Sequence, residues 1–302
     1  MIGAFPEKYG IPFKEEYLRQ TRCLSLTWAI NPFSMRFLLL LLLLWPGLRL
    51  SAQDSTRVRP YVLGEVHRLR SAALGEERVL NIYLPEGYGA GDTTRYAVLY
   101  LLDGSADEDF LHITGLTHYL SFPWLKLMPP TIVVGIANVD RRRDFTYPTT
   151  VVKDKHDYPS TGGSSAFIRF LGDELQPYIA ARFRTGTRRA LLGQSLGGLL
   201  AAEVLLTRPA LFTDYLIVSP SFWWDRGSLL ARPRPASGAP RNVYLAVGKE
   251  EPEMVRGVHR FLAKLKAAPR KGEQIRFEYF PKENHATILH RAAYEGLQVL
   301  GR

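Results

Sequence analysis

Residues 193–197 read GQSLG, a serine framed by glycines at G-x-S-x-G spacing. An apolar run, RRALL, precedes it and an apolar stretch, LLAAEVLL, follows it. A strand running into a helix through such a turn sets Ser195 at an exposed corner, the nucleophile elbow. Gly193 and Gly197 lack side chains, so strand and helix can approach around the turn. The backbone N–H of Leu196, at the start of the helix, faces a developing oxyanion.

A serine hydroxyl needs a base before it acts as a nucleophile. The elbow's usual chain order is serine, acid, histidine, which leaves His259, His285 and His290. His259 lies inside the amphipathic stretch EMVRGVHRFLAKL and reads as a packing or surface residue, and His290 lies within the last helix. His285, in FPKENHAT, falls between an apolar run and that helix and is the expected base. The acid is expected after the preceding strand, NVYLAVG, where GKEEPE supplies Glu250, Glu251 and Glu253. Glu251, whose backbone is fixed by the following Pro252, is the expected orienting acid, with Glu250 as the alternative. The competing reading is that these carboxylates only complement a helix N-terminus. A second oxyanion donor is expected from the loop in LDGSADEDF, at the N–H of Ser105 beyond the tight turn of Gly104. Trp223 and Trp224 follow another strand and are read either as pocket walls or as loop packing. Arg141, Arg142 and Arg143 are read either as attracting an anionic substrate or as a solvated charge run.

These residues need a scaffold. YVLGEVHRLRSAAL and ERVLNIYLPEGY alternate like two strands of a hairpin. RYAVLYLLDG, PTIVVGIANV, RRALLGQS, DYLIVSP, NVYLAVG and IRFEYFP are short runs with few polar positions, as suits parallel strands buried on both faces. Helical patterns separate them: SSAFIRFLGDELQPYIAARF, GGLLAAEVLLTRP, EMVRGVHRFLAKLKAA and HATILHRAAYEGLQVL. The alternation predicts an α/β fold with a mostly parallel central sheet, helices on both faces and an antiparallel hairpin at one edge. The predicted catalytic domain spans residues 54–302.

Within 302 residues, 46% are hydrophobic, enough for one sizeable core. The net charge of +10 is scattered, with no basic stripe of the kind nucleic-acid binding requires. No metal-ligand spacing or phosphate-binding glycine motif is present. Met35 and Arg36 lead into an apolar run over 37–45 and then to Ser51 and Ala52, the layout of a secretory signal peptide. The true start is expected at Met35, with residues 1–34 an upstream leader and cleavage near Ala52. The run is shorter than the about 20 residues a span requires, so no stable membrane span is expected after cleavage. The expected location is periplasmic or extracellular. Cys23, the only cysteine, precedes the run, so the mature domain would hold no disulfide.

The ordered set YLLDG, NVDRRRDFTYP, GQSLGG, VSPSFWWD and ENHAT resembles the esterase family of α/β-hydrolases that includes esterase D-type enzymes and siderophore esterases. The resemblance covers nearly all of residues 60–300. It implies the α/β-hydrolase fold, a serine nucleophile, hydrolysis of carboxylic esters through an acyl-enzyme and no cofactor. The implied partner is a small-molecule ester, with siderophores and acylated sugars as candidate classes. A glutamate cluster in place of a single acid is the departure from the pattern. An acyltransferase on the same residues, or a binding protein that keeps only the fold, are the alternatives.

Overall fold

The strand-forming runs pair into one eight-stranded sheet in a computed structural model that describes residues 58–301 except 90, 92, 236, 237 and 239. The expected leader and signal segment lies outside the described residues. The unit over Tyr61–Arg302 contains every element below.

β1 (Glu65–Arg70) and β2 (Glu77–Tyr83) form the antiparallel hairpin. β3 (Tyr96–Leu101), β4 (Thr131–Ile136), β5 (Thr185–Gln194), β6 (Asp214–Val218), β7 (Asn242–Gly248) and β8 (Gln274–Phe280) follow. The order across the sheet is β1-β2-β4-β3-β5-β6-β7-β8. β2 joins β4 antiparallel, and every pairing from β4 through β3 to β8 is parallel. This is the expected α/β-hydrolase fold, with its mostly parallel sheet and antiparallel hairpin at one edge.

Every residue of β4, β6 and β7 is buried, so these strands read as continuous apolar runs. Successive side chains point to opposite faces. Tyr100, Leu191, Ile217 and Leu245 enter one core, and Leu101, Leu192, Leu216 and Tyr244 enter the other. The second core is covered by α1 (Phe110–Leu120) and by α8 (Ile288–Leu297). Over the first core lie α4 (Ser164–Arg169), α5 (Gln176–Arg182), α6 (Leu196–Thr207) and α7 (Pro252–Ala267). All of α6 from Leu196 to Leu206 is buried, which explains why it is apolar on every side save at Glu203, which pairs with Arg232. α7 buries Met254, Val258, Phe261 and Leu265 at helical spacing.

Three features differ from the sequence reading. α4 and α5 are not one α-helix but are joined by a π-helical turn, Phe170–Leu175. Pro177, at the start of α5, has no N–H to return to the preceding turn. α1 is an additional helix, whose inward positions include Thr114 and Thr117, and these dilute its apolar period. The short helices α2 (Arg141–Phe145) and α3 (Val152–Asp157) span too few residues to show a period. Among the described residues no helix is long and apolar enough to cross a membrane.

Candidate active site

Parallel strands bring their carboxyl ends to one edge of the sheet, where open α/β folds place their sites. The ends of β5, β6, β7 and β8 carry Ser195, Ser219, Glu250 and His285 there. Ser195 has φ 59° and ψ −118°, a conformation that a non-glycine residue keeps only when its surroundings enforce it. Its N–H donates to the Val218 carbonyl at 3.0 Å, and its carbonyl accepts from Ser221 N–H at 3.0 Å. A Cβ on Gly193 would lie 2.4 Å from the Gly197 carbonyl oxygen, so strand and helix touch at that glycine.

The Ser195 hydroxyl donates to His285 Nε2 at 3.0 Å. His285 Nδ1 donates to Glu250 Oε2 at 2.7 Å. The acid in contact with the imidazole is therefore Glu250 and not the expected Glu251. Glu251 is exposed and is the N-cap residue of α7, with no side-chain cap hydrogen bond. Lys249 N–H donates to the Glu283 carbonyl at 2.7 Å, which clamps the end of β7 to the His285 loop. A Cβ on Gly248 would stand 2.5 Å from that carbonyl oxygen. Glu250 folds back within this clamp, where its Oε1 accepts Gly248 N–H at 3.1 Å and the Ser219 hydroxyl. Its side chain is 2% exposed, against 45% for His285. Burial acts to raise the Glu250 pKa, but hydrogen bonds from His285, Ser219 and Gly248, with the His285 charge, hold it below its ordinary value.

The His285 loop is held on its other side as well. Asn284 Oδ1 accepts from Ala286 N–H at 2.9 Å. Gln194, next to the nucleophile, donates from Nε2 to the His285 carbonyl at 2.6 Å. His259 packs on Phe277, and His290 pairs with His112 at 3.0 Å, so neither joins Ser195.

Leu196 opens α6, and among the described residues no hydrogen bond takes its N–H. The N–H of Ser105 is likewise free of protein acceptors among the described residues. Ser105 lies in the loop after β3, its Oγ accepting Asn138 N–H at 3.3 Å. Gly104 serves this loop by close approach: a Cβ there would lie 2.4 Å from Gly135 Cα. Asp103, φ 55°, takes the special backbone conformation.

Two clefts meet at Ser195 and His285. One, of about 640 Å³, is lined by Ser221, Trp223, Lys249, Glu251 and Met254. Trp223 is thus a cleft wall, but Trp224 is not. Trp224 is fully buried and donates from Nε1 to the Tyr147 carbonyl at 2.9 Å. The other cleft, of about 410 Å³, is lined by Asp103, Glu108, Asp109 and Arg141. Of the arginine run, Arg142 is exposed, as the solvated reading expects, whereas Arg141 and Arg143 are held by carboxylates. Arg141 grips Asp103 through Nε at 2.6 Å and a terminal nitrogen at 2.9 Å. Arg142 lies over the Tyr158 ring, and Arg143 pairs with Asp144 and Glu76. Burial, then repulsion from Asp103 and Glu108, raises the Asp109 carboxyl to about 6 despite Arg141. Sequence reasoning does not single out Gln194, Asp109, Ser219, Ser221, Lys249 or Met254. For Ser219 and Lys249 the signal is their place immediately beyond a strand at the sheet's carboxyl edge. Among the described residues no group of three or more His, Cys, Asp or Glu is gathered as a metal site.

The arrangement matches known proteins over most of the described chain. The family model described as "Putative esterase" matches residues 71–294. The solved IroE-like serine hydrolase of Shewanella oneidensis is 32% identical, with 78% of this chain and 79% of that one covered and a TM-score of 0.70. The BES protein of Bacillus cereus is 27% identical, with 82% and 99% covered and a TM-score of 0.71. The ferri-bacillibactin esterase BesA of Bacillus subtilis (strain 168) is 28% identical over 241 residues, 71% of this chain and 82% of that protein. The chain belongs to this esterase family and is a carboxylic-ester hydrolase of the serine hydrolase type on the α/β-hydrolase fold.

Proposed function

We propose that Ser195 is the nucleophile, His285 the general base and Glu250 the orienting acid in hydrolysis of a siderophore-type ester. The observation that carries this reading is the chain from Ser195 Oγ through His285 Nε2 and Nδ1 to Glu250 Oε2. Glu250 fixes the tautomer with hydrogen on Nδ1, leaving Nε2 to accept. Ser195 Oγ gives its proton to Nε2 and attacks the ester carbonyl. The oxyanion of the tetrahedral intermediate accepts from the N–H groups of Leu196 and Ser105. As the C–O bond breaks, Nε2 returns the proton to the leaving alcohol. Water then repeats the cycle on the acyl-enzyme, losing a proton to Nε2 and freeing the acid product.

The half-exposed imidazole leaves water access to the acyl-enzyme, which favours hydrolysis over transfer to another acceptor. The enforced backbone of Ser195 argues against an idle binding domain. Trp223 and Met254 suit a planar aromatic acyl group. The other cleft, lined by Asp103, Glu108, Asp109 and Arg141, is polar and takes the alcohol portion. The name of the BesA relative, a ferri-siderophore esterase, supports the same substrate class. The signal-like run over 35–52 supports work outside the cytoplasm.

The test is kcat/KM across a panel of catecholate siderophores, feruloyl esters, acetylated sugars and short acyl p-nitrophenyl esters. The proposal expects the siderophore esters to lead. Acetylated sugars leading, with siderophores untouched, would overturn the substrate assignment.

A further inference from the structure

The turn after β6 touches both ends of the hydrogen-bond chain. Ser219 is fully buried and has φ 44°. A left-handed conformation costs a non-glycine residue on the order of 1–2 kcal/mol, so contacts must hold it there. Ser219 N–H donates to the Ala246 carbonyl at 2.8 Å, and its hydroxyl donates to Glu250 Oε1. With Gly248 N–H on the same oxygen, the carboxylate is turned so that Oε2 meets His285.

Two residues on, the buried Ser221 hydroxyl lies 3.3 Å from Ser195 Oγ. The direction of that bond follows by elimination. The Glu250 carboxylate takes the hydrogen on Nδ1, so Nε2 accepts the single hydroxyl proton of Ser195. The proton between the two hydroxyls therefore belongs to Ser221. A serine Oγ can occupy three staggered positions, and a donor from Ser221 favours the one 3.0 Å from Nε2. The turn is also pressed onto the start of α6. A Cβ on Gly198 would lie 2.9 Å from the Val218 carbonyl oxygen and 3.0 Å from Pro220 Cα.

Resting on the roles proposed above for Ser195, His285 and Glu250, we propose that residues 219–221 form a brace, with Ser221 positioning the nucleophile and Ser219 positioning the acid. Ser219 acts through Glu250, and Ser221, buried at the edge of the cleft, acts through Ser195, so both serve kcat more than substrate binding. The test compares Ser221→Ala, Ser219→Gly and Ser195→Ala on a short acyl p-nitrophenyl ester, with fluorophosphonate labelling as a readout of nucleophile reactivity. Glycine relaxes the left-handed backbone, so Ser219→Gly removes the hydroxyl without threatening the fold.

Ser221→Ala is expected to lower kcat and the labelling rate about fivefold, the scale of one long hydrogen bond, with KM within about twofold. Ser219→Gly is expected to lower kcat about tenfold. It also moves the acid limb of kcat/KM to higher pH, because Glu250 loses a donor that favours its ionised form. A purely structural Ser219 predicts wild-type kcat and an unmoved limb in the glycine variant. That result, or wild-type kcat and labelling in Ser221→Ala, overturns the brace. Ser195→Ala separates the two levels. If it is inactive while both brace variants behave as wild type, only the brace fails; if it retains turnover, the underlying triad assignment fails.

Discussion

Glu250→Gln replaces one oxygen of a buried carboxylate by an amide nitrogen, and the surroundings dictate which way the amide faces. Ser219 and Gly248 both donate to Oε1, so the amide oxygen must stay on their side. The NH₂ group then faces His285 Nδ1, which has to become an acceptor. The imidazole hydrogen is driven to Nε2, where it can no longer take the proton of Ser195. A wrong tautomer of this kind costs about 10⁴ in kcat in a well-studied triad. Here the half-exposed ring can be reached by water and partly reoriented, so we expect about 10³, or roughly 4 kcal/mol of barrier. Glu251→Gln removes an exposed charge at the start of α7, on the wall of the Trp223 cleft but out of contact with His285. It should leave kcat within about twofold and cost at most about 1 kcal/mol of stability. Steady-state hydrolysis of a p-nitrophenyl ester gives both numbers, and the downfield Nδ1 proton resonance reports the tautomer. A Glu250→Gln enzyme within about tenfold of wild type, or a larger loss in Glu251→Gln, would refute this reasoning.

Asp109 titrates near 6 in the acidic cleft. KM for an anionic ester should therefore rise as pH climbs through about 6 and the cleft gains a negative charge; Asp109→Asn should flatten that rise in a KM–pH series. Trp223→Ala should raise KM for aromatic-acyl esters about tenfold while sparing acetyl esters. Trp224→Ala should instead lower stability by about 3–5 kcal/mol in denaturant melts, because it empties a core site. N-terminal sequencing of protein from the native host should find a mature start near Gln53; a cytoplasmic protein starting at Met1 would remove export from the account.

Much of the site was legible because chain order and strand ends are sequence properties. Six apolar runs located the parallel strands, and the residues just beyond them included Ser195 and His285. What failed was the choice between neighbours. Glu250 and Glu251 are chemically alike, and only the fold-back of the chain at Gly248, clamped by Lys249 N–H on the Glu283 carbonyl, turns the first inward. Trp223 and Trp224 diverge for the same kind of reason, one facing the cleft and one the core. Within the arginine run, Arg141 and Arg143 depart from a solvated reading because their carboxylate partners, Asp103 and Glu76, lie far away in sequence. Beyond the place of Ser219 after β6, nothing in the sequence marks Ser219 or Ser221, since their importance is a matter of contacts with Glu250 and Ser195.

Covalent labelling with a fluorophosphonate followed by peptide mapping identifies the nucleophilic serine directly. One adduct is expected, on the peptide carrying Ser195, with labelling and ester hydrolysis both lost in a folded Ser195→Ala variant. An adduct on another serine, or near-normal ester turnover in Ser195→Ala, would contradict the role of Ser195 as nucleophile.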